Sequence, residues 1–312
     1  MTPVVAARVA LVTDSTAMLP PEVAAAAGIA VVPLQVVIGA EVHDEGSPEA
    51  TPEVVAAALR EWTPVSTSRP APEAIAAVYE RLAGAGAEAI VSVHLSGQMS
   101  GTLESARLAA SRSRVPVTVV DTAQVGVATG YAALSGAAVA AAGGSAEAVA
   151  AAVRARAAAC TSLLYVDTLE YLRRGGRIGA AAALFGGALA VKPLLRIDDG
   201  KVVPLERVRT TGRALARLEE LAVEAVEGAD GQSGQPGQSG QRVQRVEVTV
   251  AHLANAERAA SLAERLAERL GARLAGEVAF GELGAVLGAH VGPGMIALCV
   301  APVLDDADPS GD

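Results

Sequence analysis

Short runs of β-branched and other apolar residues alternate along the chain with longer runs rich in Ala, Leu, Glu and Arg. The apolar runs VALVTD (9–14), IAVVPLQVVI (29–38), AIVSVHL (89–95), VPVTVVD (115–121), SLLYVD (162–167), VEVTVAHL (246–253) and IALCVAP (296–302) predict strands. Between them, PPEVAAAA (20–27), TPEVVAAALREW (51–62), APEAIAAVYERLAGAG (71–86) and SAEAVAAAVRARAAA (145–159) predict helices, the last with Ser145 as its N-cap. This alternation predicts an α/β protein with largely parallel sheets, in which ligands bind at the carboxyl ends of strands. One segment breaks the pattern. GADGQSGQPGQSGQR (228–242) has no apolar residue after Ala229 and is expected to be a disordered surface insertion.

Composition narrows the function classes. The 312 residues suffice for one large domain or two ordinary ones, and 51% of them are hydrophobic, so a substantial core is available. Aromatic residues make up only 2%, which leaves few rings for stacking on bases or sugars. A net charge of −9 and a pI near 5.1 argue against nucleic acid or anionic lipid as partner. Cys160 and Cys299 lie in apolar surroundings and read as buried free thiols of a reducing compartment. No segment has the length of a membrane span, so a soluble, cytoplasmic protein without stable membrane insertion is expected. Ligand spacing for a metal is missing from the four histidines and two cysteines, and no GxxxxGK[ST] loop appears.

The candidate chemistry sits where strands give way to helices. In HLSGQMSGTLESA (94–106), Ser96, Ser100 and Thr102 supply hydroxyls and Gly101 bare backbone. Ser100 would N-cap the helix that follows; the same geometry offers free N–H groups to a small anion. VTDSTAMLPPE (12–22) repeats the theme with Asp14 and Ser15, either as a site or as a turn that closes the strand. STSRP (66–70) brings Thr67 and Ser68 into a loop before another helix, and GAHVGPGM (288–295) puts His290 in a tight glycine-rich loop. There it could donate to an anion and titrate near neutrality. Ten of the 25 basic residues, Arg177, Lys192, Arg207 and Arg209 among them, fall between 173 and 217 with only three acids. That sector reads as a docking face or phosphate-handling surface, or as a solvated face.

Taken in order, TDS (13–15), VVPL (31–34), TSRP (67–70), LSGQMSGTLESA (95–106), VDT (120–122), TLEYLRRGGRI (168–178), KPLL (192–195) and HVGPG (290–294) resemble the DegV family of fatty-acid-binding proteins. That family includes the FakB-type subunits of bacterial fatty acid kinase. The chain departs from its usual pattern at TSRPA, where TSQPS is common, and at Gly97, Leu103 and Thr122. The resemblance implies a two-lobed α/β fold, lobes 1–160 and 161–312, enclosing one long-chain fatty acid and needing no cofactor. It implies that Thr67, Ser100 and His290 hold the carboxylate, with Asp14, Ser15, Ser68, Ser96, Gly101 and Thr102 nearby. It implies further a carrier with no catalytic residue of its own. A separate ATP-binding kinase subunit converts the bound acid to acyl phosphate for phospholipid synthesis, with an acyltransferase as downstream recipient. Arg177, Lys192, Arg207 and Arg209 would then serve the kinase encounter. Two other readings compete: a serine hydrolase built on Ser100, His290 and Asp14, and a phosphotransfer protein of dihydroxyacetone-kinase type that uses His290.

Overall fold

The computed structural model describes residues 9–184, 191–232 and 245–303. Strands β1 (Val9–Asp14), β2 (Ile29–Val32), β6 (Ala89–His94) and β7 (Val117–Asp121) form a parallel sheet in the order β2-β1-β6-β7. Both of its faces are covered, which is why its central strands are apolar almost without interruption. Leu11 and Val93 pack on helices α5 (Val127–Ala141) and α6 (Ala146–Ala159), whose many alanines allow close approach. Val12 and Ile90 face α3 (Pro72–Gly84) and α4 (Thr102–Ala110) on the other side, while α1 (Pro21–Ala26) links β1 to β2. The Ser145 hydroxyl does cap α6, accepting the Ala148 N–H at 3.3 Å.

The run 29–38 is two strands in different sheets. Pro33 has no N–H to give a ladder, so β2 ends there. The chain then enters a small antiparallel sheet of order β4-β3-β5, built from β3 (Gln35–Ile38), β4 (Glu41–Asp44) and β5 (Val65–Ser68). Helix α2 (Pro52–Arg60) connects the last two. Thr67 and Ser68 are thus strand residues and not loop residues.

The third sheet has six strands in the order β10-β9-β8-β13-β11-β12. These are β8 (Thr161–Tyr165), β9 (Lys192–Asp198), β10 (Lys201–Val208), β11 (Val246–His252), β12 (Ala279–Glu282) and β13 (Ile296–Pro302). Parallel pairing, expected to dominate, is confined here to β11–β12; the other pairs are antiparallel. A tight turn at Asp199–Gly200 forces the β9–β10 hairpin, where no crossover helix intervenes. One face of this sheet packs on α8 (Thr211–Gln232) and α9 (Ala256–Leu270) through Tyr165, Leu194, Val250 and Leu298. Against the other face lie α7 (Glu170–Arg174) and α10 (Ala285–Val291). Helix α8 runs through residues 228–232, the start of the segment expected to be disordered; 233–242 lies outside the described residues. Among the described residues no helix is long and apolar enough to cross a membrane.

Candidate functional site

Strand alternation builds the floor of a cavity. Residues two apart on one strand share a face, and the register aligns Ala251, Ala297 and Leu164 in one row and Thr249, Cys299 and Ser162 in the next. All six line a partly open cavity whose other walls include Met18, Leu95, Met99, Val127, Leu283 and Leu287. Its volume is about 120 Å³. The walls therefore stand close together, as around a thin chain. Hydroxyls in the floor are already engaged: Ser162 Oγ donates to Gln124 Oε1 at 3.0 Å, and Thr249 Oγ1 pairs with Tyr131 OH at 2.7 Å. Cys299 and its neighbour Cys160 are buried free thiols. What the floor offers a ligand is apolar.

Polar groups gather elsewhere on the wall: Thr67, Ser100, Arg177 and His290. Thr67 Oγ1 lies 2.8 Å from His290 Nε2, across 223 residues of sequence. His290 occupies the last turn of α10 and not a loop. That short helix is held at its start by the Glu45 carboxylate, which accepts the Val286 N–H at 2.8 Å. Ser100 precedes α4 by two positions, so it is not the N-cap residue, yet its Oγ accepts the Thr102 N–H at 3.2 Å and lies 2.9 Å from Thr102 Oγ1. Arg177 follows α7. Gly176, at φ 71°, takes the left-handed turn that ends the helix, and the Arg177 N–H bonds back to Leu172 O at 2.9 Å. Arg177 Nε then donates to Met99 O at 2.9 Å and Nη1 to Gly175 O at 2.6 Å. The guanidinium is thereby fixed against the loop that carries Ser100.

Burial, with the Arg177 charge adding to it, pushes the His290 pKa down to about 4. Titration near neutrality, expected from the sequence, is thereby displaced to lower pH. Because this histidine charges more readily unfolded, its stability contribution is complete above its ordinary value near 6.5 and is lost as pH falls towards 4. The loss amounts to roughly 3 kcal/mol. Urea unfolding of the wild type and His290→Gln, compared between about pH 7.5 and about pH 4.5, should show the shallower pH dependence in the variant. Parallel curves would contradict the assignment.

The other expected residues take different places. Asp14 is buried in a turn: Oδ1 accepts the Thr16 N–H and hydroxyl, while Oδ2 accepts the Leu95 N–H at 3.1 Å and faces His94 Nδ1 at 2.9 Å. His94 continues the chain to Ser92 and Tyr79, both at 2.8 Å links, and all four side chains are fully buried away from the cavity. The hydrolase constellation is not assembled, since Asp14 pairs with His94 and Ser100 with Thr102. Ser15 accepts the Leu34 N–H, Ser96 donates to Gly200 O, Thr102 is buried beneath Ser100, and Ser68 hydrogen-bonds Arg69 O. Gly101 is covered by the Arg69 side chain, which donates to its carbonyl at 3.4 Å. Lys192 pairs with Asp167 at 2.8 Å. Arg207 and Arg209 are exposed near the end of β10, apart from the inward-turned Arg177, so the basic sector is not one face. Sequence reasoning missed His94, whose only signal is its place, with Ser92, in an otherwise apolar strand.

Fold and site define a class: an α/β protein with a narrow apolar cavity that carries hydroxyls, an imidazole and a guanidinium on one part of its wall. A family model described as an uncharacterised protein of the DegV family matches residues 8–303, and the chain belongs to that family. A DegV domain-containing protein of Streptomyces coelicolor is 47% identical over 94% of this chain and 98% of its own length. Among solved structures, a fatty-acid-binding DegV family protein from Thermus thermophilus superposes with a TM-score of 0.82 at 32% identity, covering 95% of this chain and 100% of that one. DegV of Bacillus subtilis, a fatty acid binding protein, gives 0.81 at 30% identity, covering 95% and 99%.

Proposed function

We propose that the protein holds one long-chain fatty acid in this cavity, with its carboxylate at Thr67, Ser100, Arg177 and His290. The observation that carries the proposal is the joining of a narrow apolar space to that one polar cluster. Each methylene moved from water to apolar walls contributes roughly 0.8 kcal/mol. A carboxylate taken from water needs charge-assisted donors, which two hydroxyls and a guanidinium provide. Delipidated protein should take up one equivalent of palmitate or oleate with saturation; non-saturable uptake would reject the proposal.

We propose further that the acid is presented to a separate ATP-dependent kinase subunit. A carboxylate oxygen bonds to the γ-phosphorus of ATP, ADP leaves, and the acyl phosphate passes to an acyltransferase of phospholipid synthesis. Support comes from the resemblance to the binding subunits of fatty acid kinase and from the partial exposure of Thr67, Ser100 and Arg177. On this view residues 1–160 and 161–312 act as two lobes that share the cavity wall. Arg207 and Arg209, which form no ion pair among the described residues, would meet the partner, while Lys192 is already paired with Asp167. Replacing both arginines with alanine should leave the lipid bound and lower acyl-phosphate formation several-fold, most strongly at low salt. Full turnover in a reconstituted assay would remove this surface from the docking site.

A further inference from the structure

A second, wider hollow of about 740 Å³ adjoins the cavity of about 120 Å³. Four residues line both spaces: Met18, Val127, Thr249 and Ala251. They are the wall between them. Three are fixed: Val127 opens α5, Thr249 is tied to Tyr131, and Ala251 presents only a methyl group. Met18 alone of the four has several rotatable bonds. Its backbone is anchored by the Ser15–Ala17 turn, where its N–H reaches Ser15 O at 3.3 Å, and its thioether lies beside Gly126 near Leu287.

The lining of the hollow says what it would accept. Val23, Val31 and Phe280, three of the seven large apolar side chains exposed among the described residues, lie along it. Its charged residues are Glu45, Glu247, Glu277 and Glu282, with no lysine, arginine or histidine. Glu247 is paired with Arg156, and the carboxylates of Glu45, Glu277 and Glu282, which have no ion pair among the described residues, leave the lining net negative, so the methyl end of an amphiphile fits there and an anionic head does not. The head is directed instead to Arg177 and its neighbours. From this we infer that Met18 is the gate that sets acyl-chain length: a chain too long for the cavity displaces its side chain and lays the methyl end in the hollow. The inference rests on the fatty-acid reading above.

Delipidated wild type, Met18→Ala and Met18→Phe can be offered an equimolar saturated series from laurate to behenate, and the bound acids extracted and weighed by mass spectrometry. Each methylene that finds apolar cover multiplies affinity by roughly fourfold. Met18→Ala should therefore raise the ratio of behenate to palmitate bound by about tenfold or more, and Met18→Phe should lower it comparably. Profiles that overlay the wild type in both variants would overturn the gate while leaving fatty-acid binding intact. Failure of the wild type to bind any member of the series would instead reject the reading on which the gate rests. Should Met18→Ala not fold, Met18→Phe decides alone, and an unchanged ratio overturns the inference.

Discussion

Replacing Thr67 and Ser100 together with alanine is expected to lower fatty acid affinity by about a hundredfold or more, with little change in melting temperature. Each substitution removes one hydroxyl from the carboxylate, and a hydrogen bond to a charged group contributes about 1.5–3 kcal/mol. Neither hydroxyl carries the fold. Among the described residues Thr67 Oγ1 hydrogen-bonds only His290, and Ser100 Oγ only the start of α4, where Thr102 remains. Titration of delipidated protein with a fluorescent fatty acid reads the effect. Affinity within a few-fold of wild type would place the carboxylate elsewhere.

The largest loss of stability from a single methyl group is expected at Gly292. Its backbone, at φ 76° and ψ 168°, lies in a region that glycine alone occupies freely, and its N–H closes α10 by bonding to Gly288 O at 2.8 Å. A methyl group there would overlap the Tyr171 ring. Backbone strain and overpacking together should cost Gly292→Ala about 3 kcal/mol or more. Gly143→Ala is the control, since Gly143 also has a positive φ, 85°, but nothing within 4 Å of an added methyl. Denaturant midpoints should fall much further for Gly292→Ala, and because His290 is two residues away, lipid retention should fall with them. Equal midpoints would show that the Tyr171 contact yields.

How far the structure was readable in the sequence depended on whether its causes were local. The parallel strands were readable because burial on both faces writes continuous apolar runs, and Ser145 was readable because a cap acts within three residues. Strands β4, β5 and β12 have four residues each, none of them buried, so no alternation marks them. The glycines around His290 suggested a loop; α10 forms there because Glu45, 241 residues distant from Val286, caps it. Charge clustering suggested that Arg177 belongs on a surface with Arg207 and Arg209. Two backbone carbonyls, from Met99 and Gly175, turn it inward, and no pattern of charges records them. Spacing left Ser100 open between a helix cap and an anion site and left His290 as a possible anion donor; family resemblance named both, with Thr67, as carboxylate ligands. The geometry joins Thr67 directly to His290 and sets all three on one wall.

Native mass spectrometry of the protein as purified from cells, repeated after denaturation, distinguishes a bound fatty acid from a bare or covalently modified chain. The folded mass should exceed that of the chain by one long-chain fatty acid. Denaturation should release that increment as a free carboxylic acid, and the Thr67→Ala/Ser100→Ala variant should lack it. A folded protein of bare chain mass that takes up no fatty acid when offered one would rule out fatty acid binding. So would an increment that survives denaturation as a phosphoryl or acyl group bonded to His290 or Ser100.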